Sequence, residues 1–209
     1  FVFNMRKPPF DDIKVRKAFC YLFNRAKLMD KLFFNEYEFT DSYFPGREWG
    51  NPDNPKIRYD PGLAAALLAE AGYKERNEDG WLVGPDGKVF ELTLEYGSPT
   101  WTRIHTVIKE DYEKAGIKFN LKQLDWRVVY KKVQERKFTI AWQNWGAILF
   151  PNPESSFRSN LADELHNNNV PGFKSRKVDK LCAKYNLIFD RQKQIKIIRQ
   201  IDSIIFKKY

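Results

Sequence analysis

Between Lys88 and Trp142 the apolar residues switch twice between a period of two and a period near 3.6. Phe90, Leu92, Leu94 and Tyr96 alternate with Glu91, Thr93 and Glu95, as in a strand with one buried face. A helix starting at Ser98 or Thr100 follows, with Ile104, Val107, Ile108 and Ala115 inward and Gly116 closing it. Ile117–Leu124 returns to strand, with Ile117, Phe119 and Leu121 on one face. Asp125 caps a helix over Trp126–Arg136 with Val129, Tyr130 and Val133 inward, and Phe138–Trp142 is the last strand. A β-α-β-α-β series of this kind predicts a parallel sheet with right-handed crossovers. In such sheets ligands lie beyond the carboxyl ends of the strands. Two loops then share one rim, Gly97–Thr102 and Gln143–Pro153.

The flanking segments extend this unit. Phe1–Met5 reads as a strand broken by Pro8 and Pro9. Asp11 or Asp12 caps a helix with Ile13, Val15, Phe19, Leu22 and Phe23 on one face, and Arg25–Phe34 continues helical. Asn35–Tyr59, rich in aromatics and prolines, is expected to be an ordered, wrapped segment without regular structure. Asp60 and Pro61 open a helix that Gly72 stops. Trp81–Val83 and Lys88–Tyr96 flank the tight-turn sequence Gly84-Pro85-Asp86-Gly87. Asn160–Phe173 is a polar loop. Ser175 caps a helix with Val178, Leu181, Cys182, Tyr185 and Ile188 inward, and Arg191–Lys208 is the final helix. The chain opens inside a strand-like run, FVFNM, and closes inside a helical pattern, so a fragment of a longer protein is expected.

Composition narrows the chemistry. The 209 residues carry a formal net charge of +9, but no run of five Lys/Arg occurs and acidic residues are interleaved, which favours a solvated surface over a focused nucleic-acid stripe. No apolar run approaches the length that spans a membrane. Cys20 and Cys182 both fall on apolar helix faces, as small buried hydrophobes. With His105 and His166 they form no metal-ligand spacing. Nucleophile-elbow, phosphate-loop, dinucleotide and zinc-protease motifs are absent. Neither an enzyme activity nor a cofactor is expected.

The stretch Phe138–Pro153, FTIAWQNWGAILFPNP, sets indole and phenyl rings beside amides at a strand's end. Such a surface suits a ligand of mixed character. Its position on the predicted rim favours ligand-facing roles for Trp101 and Trp145.

Several segments in order resemble the solute-binding proteins of peptide ABC transporters, the oligopeptide- and dipeptide-binding family 5. FNMRKPPFDDIKVRKAFCYLFNRAKLMDKL is similar to a strand, a "PF.D..VR.A" motif and a helix. YDPGLAAALLAEAGY resembles "YDP..A..LL.EAGY", the most specific match. EDYEKAGIKFNLKQLDW resembles a "L...GI.V.....D" unit, and NNNVPGFKSRKVDKLCAKY a "N..G..N..VD.L" segment. The resemblance implies an α/β fold: one lobe of a two-lobed periplasmic-binding-protein-like architecture, with a mixed or parallel sheet flanked by helices. Residues 1–209 would be the C-terminal lobe. It implies a monomeric receptor, periplasmic or extracellular and lipid-anchored in some members. The receptor would capture an oligopeptide or similar small solute by hinge closure and deliver it to ABC permease subunits, with no nucleic acid involved. Ligand contacts are assigned to Trp101, Trp142, Asn144, Trp145 and Asn152, with Arg158 as a carboxylate partner. Many relatives carry an aspartate in the loop after the Trp-bearing strand that pairs with the peptide's amino terminus. Here Trp145–Glu154 contains none. The alternatives are an oligosaccharide or metal-chelate ligand in the same family, or a basic nucleic-acid-binding domain.

Overall fold

A computed structural model of the chain describes residues 1–45, 48–144, 146 and 150–208. Its centre is a four-stranded sheet in the order β1-β4-β2-β3. Strands β2 (Glu91–Tyr96) and β3 (Lys118–Gln123) pair in parallel, from Glu91 opposite Lys118 to Tyr96 opposite Gln123. Strand β4 (Ile140–Ala141) lies parallel to β2 on its other side, with Glu95 opposite Ala141. The expected crossover series is therefore present. The edge strand β1 (Val2–Phe3) runs antiparallel to β4, which makes the sheet mixed.

β1 and β4 are shorter than their sequence patterns suggest. At the end of β1 Asn4 N still donates to Thr139 O at 3.0 Å, and the buried side-chain amide adds bonds to the carbonyls of Arg136 (3.2 Å) and Phe138 (2.9 Å). The next residue, Met5, leaves the sheet to bond Pro171 O.

Alternation along β2 buries Leu92, Leu94 and Tyr96 and leaves Glu91 and Thr93 in water. The buried face packs on α1 (Ile13–Leu22), α2 (Arg25–Leu32), α3 (Pro61–Glu70) and α4 (Thr102–Lys114), through Phe19, Leu28, Leu68, Ile108 and Tyr112 among others. Side-chain caps start three of these helices: Asp12 accepts from Lys14, Asn24 from Lys27 and Asp60 from Leu63. Arg16, in the motif that opens the chain, is 5% exposed and donates to the carbonyls of Phe10 and Asp11, fixing the loop behind the proline pair. Helix α5 (Trp126–Gln134) crosses the opposite face. There Val133 is buried with Val2, Phe138 and Ala141, and Val129 packs against them. Tyr130, expected inward, is 56% exposed, because on so short a helix only the i, i+4 pair Val129 and Val133 faces the sheet.

A second core forms around α7 (Arg176–Asn186) and α8 (Arg191–Lys208), with Phe44, Trp49 and Phe173. It organises the irregular segment that follows α2. Asp202 of α8 is fully buried and accepts from Ser42 Oγ (2.7 Å), Tyr43 N, Asn51 N and Asn54 Nδ2 (each 2.9 Å). The polar loop before α7 is pinned in the same manner. Arg6 donates to the carbonyls of Ala162, Asn169 and Val170. Arg136 donates to those of Glu164 and Asn167. Asn169 bonds Arg158 O and both backbone groups of Phe173. Cys20 of α1 and Cys182 of α7 are unpaired thiols. Burial pushes the Cys182 thiol up to about 12.

Candidate functional site

The carboxyl ends of β2, β3 and β4 open on one edge, as parallel pairing requires. Beyond β2 the chain makes a 3₁₀ turn, Pro99–Trp101, before α4 begins at Thr102. Beyond β4 comes Trp142. These two exits bring Trp101 and Trp142 together, with ring centroids 5.3 Å apart at 47°. The pair is half-buried. Trp142 also meets His105 edge-on at 5.0 Å and Phe1 at 5.5 Å. His105 in turn stands on Tyr96, whose hydroxyl lies 3.0 Å from Thr102 Oγ1. An aromatic platform thus sits at the ends of the parallel strands. Among the described residues, the buried indole N–H of Trp142 has no hydrogen-bond partner. An unpaired buried donor costs about 1–3 kcal/mol, so the platform holds this N–H, closed off from solvent, at a cost in stability.

His105 is fully buried, and neither ring nitrogen has a partner among the described residues. Burial is the main cause that lowers its pKa to about 4. It is a neutral member of the platform near pH 7. Its titration has a sign. The unfolded chain takes up a proton below the ordinary pKa of 6.5 while the folded chain resists until about 4. Stability is therefore lost as pH falls through that window. Between pH 7 and pH 5 the loss is about 2 kcal/mol from this group. Urea titrations of the wild type and of His105→Phe at the two pH values check it, and an unchanged pH dependence in the variant would refute it.

Of the other expected contacts, Asn152 and Arg158 lie elsewhere. Asn144 is exposed, two residues beyond Trp142. Trp145 lies outside the described residues. Asn152 is exposed and, just before the short helix α6 (Glu154–Phe157), accepts from Glu154 N at 3.1 Å. Arg158 is already engaged with a carboxylate, that of Glu154. The same carboxylate accepts from Asn186 at 2.6 Å. These two partners, Asn186 first, hold Glu154 below the usual glutamate range. Asn152 and Arg158 therefore belong to the α6–α7 side. Nearby, Tyr185 Oη donates to Pro151 O at 2.7 Å, and Arg191 lies over the rings of Trp49 and Phe150. The segment from Trp142 to Pro151 thus has one end on the first core and the other on the second. Of two cavities, one of about 380 Å³ lies beside Pro8, Pro9 and Tyr73 and one of about 310 Å³ lies between α5 and the polar side of β2; neither is lined by Trp101, Trp142, Asn144, Asn152 or Arg158.

One rim residue escaped the sequence reading. Trp126, the first residue of α5, is 58% exposed and carries Arg127 over its ring at 5.4 Å. It sits at the rim because Gly97 ends β2 against its backbone: a Cβ on Gly97 would stand 2.6 Å from Trp126 Cα. The signal available was positional, since Trp126 directly follows the cap after β3.

A mixed sheet layered with helices, with an aromatic platform at the carboxyl ends of the parallel strands, defines a lobe of the periplasmic-binding-protein-like fold. The chain belongs to the bacterial extracellular solute-binding proteins of family 5, matching the family's middle region over residues 1–167. It is 28% identical to the oligopeptide-binding protein AppA of Bacillus subtilis over 207 residues, which is 95% of this chain and 37% of that one. The AppA structure in complex with a nonapeptide superposes with a TM-score of 0.88 at 27% identity, covering 99% of this chain and 42% of the other. Heme-binding protein A of Haemophilus influenzae is 25% identical over 206 residues, 97% of this chain and 36% of that protein. A periplasmic oligopeptide-binding protein of Thermotoga maritima, solved with mannohexaose, shares the fold: TM-score 0.86, 23% identity, and 99% and 41% of the two chains covered. The chain thus spans little more than a third of the length of these curated relatives.

Proposed function

We propose that residues 1–209 form the C-terminal lobe of a substrate-binding component of an ABC importer, which captures oligopeptides between two lobes and delivers them to the membrane permease. The observation that carries this reading is the likeness to peptide-bound AppA, which extends over nearly the whole chain. The rim suits such a ligand: Trp101 and Trp142 offer flat apolar area, the exposed Asn144 offers a polar contact, and Trp126 stands at the margin. Trp145, Asn152 and Arg158 are retained as contacts of the approaching second lobe or the ligand, with Arg158 exchanging Glu154 for a ligand carboxylate. Lysines are interleaved with acids, as in Lys27 with Glu110 and Asp111, Lys109 with Glu113 and Lys118 with Glu91, which argues against a nucleic-acid stripe.

Calorimetry on the full-length protein with an oligopeptide panel tests the proposal. Micromolar or tighter binding is expected, and binding of saccharides or metal chelates alone would overturn it. The 209-residue chain by itself should bind peptide more weakly than about micromolar, because half the cleft is missing.

One observation favours a second ligand class. Between Trp145 and Glu154 the only carboxylate is Glu154, and Arg158 and Asn186 occupy it. This lobe therefore has no free acid in that loop for a peptide's ammonium group, which would suit an oligosaccharide as well as a peptide held by its backbone. The expected result is that N-acetylation changes peptide affinity by less than about threefold. A drop of roughly 30-fold or more would mean that a charge-assisted contact holds the amino terminus after all.

A further inference from the structure

Helices α7 and α8 are joined by Leu187–Asp190, and this tip has two faces. Its inner side is tightly held. Ile188 packs on the second core. Leu187 N and Ile188 N donate to Lys184 O and Tyr185 O, each at 3.2 Å. Gln194 Nε2 donates to Ile188 O at 2.6 Å, and Asp190 caps α8 by accepting from Lys193 N at 2.8 Å. Its outer side carries Leu187 and Phe189, 80% and 94% exposed, the two most exposed large apolar side chains among the described residues. A tip anchored in this way displays them by construction and not by fraying. The two helices it joins carry Lys180, Lys184, Lys193 and Lys196, all exposed and none in an ion pair among the described residues. Against these four cations, Asp190 caps α8 and Asp179 accepts from Ser159 N, both still charged, while Glu154 is paired with Arg158 and Glu48 with Arg191.

We propose that the α7–α8 tip is a docking element for an anionic lipid surface, with Leu187 and Phe189 entering the interface and the four lysines contacting headgroups. The chemistry favours lipid over protein. A bilayer interface accepts isolated apolar side chains without a complementary pocket, and a lysine collar gains from anionic headgroups within a Debye length. The exposed apolar area of the tip is two side chains, Leu187 and Phe189, whereas a protein partner buries a larger packed patch. The inference is independent of which solute the cleft takes.

The test is co-sedimentation of the full chain with mixed phosphatidylglycerol–phosphatidylcholine vesicles and with pure phosphatidylcholine vesicles at low and physiological salt. Binding to the anionic vesicles alone, weakened by salt, is expected. Leu187→Ser with Phe189→Ser should weaken it on the order of tenfold. Lys184→Gln with Lys193→Gln should weaken it roughly 30-fold at low salt. All four side chains are solvent-facing, so circular dichroism should show both variants folded. Three results would overturn the proposal. One is no pelleting with anionic vesicles at low salt. Another is pelleting unaffected by loss of Leu187 and Phe189, which would leave only bulk charge. The third is self-association without vesicles that the Ser variant abolishes, which would make a second copy of the chain the occupant.

Discussion

Replacing Asp202 by Ala should destabilise the protein by about 4 kcal/mol, the largest effect expected of any single side chain here. Asp202 is fully buried in α8 and receives four hydrogen bonds, two from backbone N–H groups and two from side chains. Truncation leaves Tyr43 N, Asn51 N and Asn54 Nδ2 facing an apolar helix without an acceptor, and each orphaned donor carries a desolvation penalty. Water entering the gap would return part of that, which keeps the figure below the simple sum. In a chain of this size the loss corresponds to a fall in Tm of roughly 8–16 °C. Asp202→Asn separates charge from shape, because its amide keeps one acceptor oxygen but turns an NH₂ toward existing donors. It should lie between Ala and wild type. Thermal and urea unfolding of the three proteins is decisive, and an Ala variant within 1 kcal/mol of wild type would show that the segment is not hung on Asp202.

Gly97→Ala should cost about 3 kcal/mol and weaken ligand capture by the full-length protein at the same time. The added Cβ would meet Trp126 Cα at 2.6 Å and Trp126 Cβ at 2.8 Å, both rigid parts of the start of α5. No rotamer change relieves such a contact, so backbone must move. The part free to move is the exit of β2, which carries Trp101 and its contact with Trp142. Stability and affinity should therefore fall together, whereas Trp126→Ala, which removes only an exposed ring, should leave stability within about 1 kcal/mol. Equal stability of Gly97→Ala and wild type would contradict the account.

Much of the fold was legible from hydrophobic period and punctuation. Leu92, Leu94 and Tyr96 alternate inward as written, Gly72 and Gly116 adopt left-handed φ values of 96° and 93° where helices had to stop, and Asp60 and Asp125 cap their helices. What failed to show in the sequence was long-range polar work. Asn4 ties the end of β1 to carbonyls 132 and 134 residues away, and Asp202 orders a segment 148 to 160 residues distant. Neither leaves a local period. The site divided along the same line. Trp101 and Trp142 met because strand direction alone places both on one rim. Arg158 is the exception, since its partner Glu154 stands only four residues earlier; the pair was missed because the short helix α6 that brings the two together was not expected there. Trp126 was visible as a helix start but not as a rim residue, since its exposure depends on a glycine 29 positions earlier.

Residues 160–173 form no strand or long helix, yet Arg6, Arg136 and Asn169 between them fix the backbone of Ala162, Glu164, Asn167, Val170 and Phe173. Most surface connections absorb an extra residue at little cost because nothing counts their length. This one is counted, in the way a strand's ladder counts, since each guanidinium and amide reads a particular carbonyl. Its spacing is therefore part of the fold's specification, and an engineer looking for a place to insert a tag or a reporter should pass over it in favour of the turn at Gly84–Gly87.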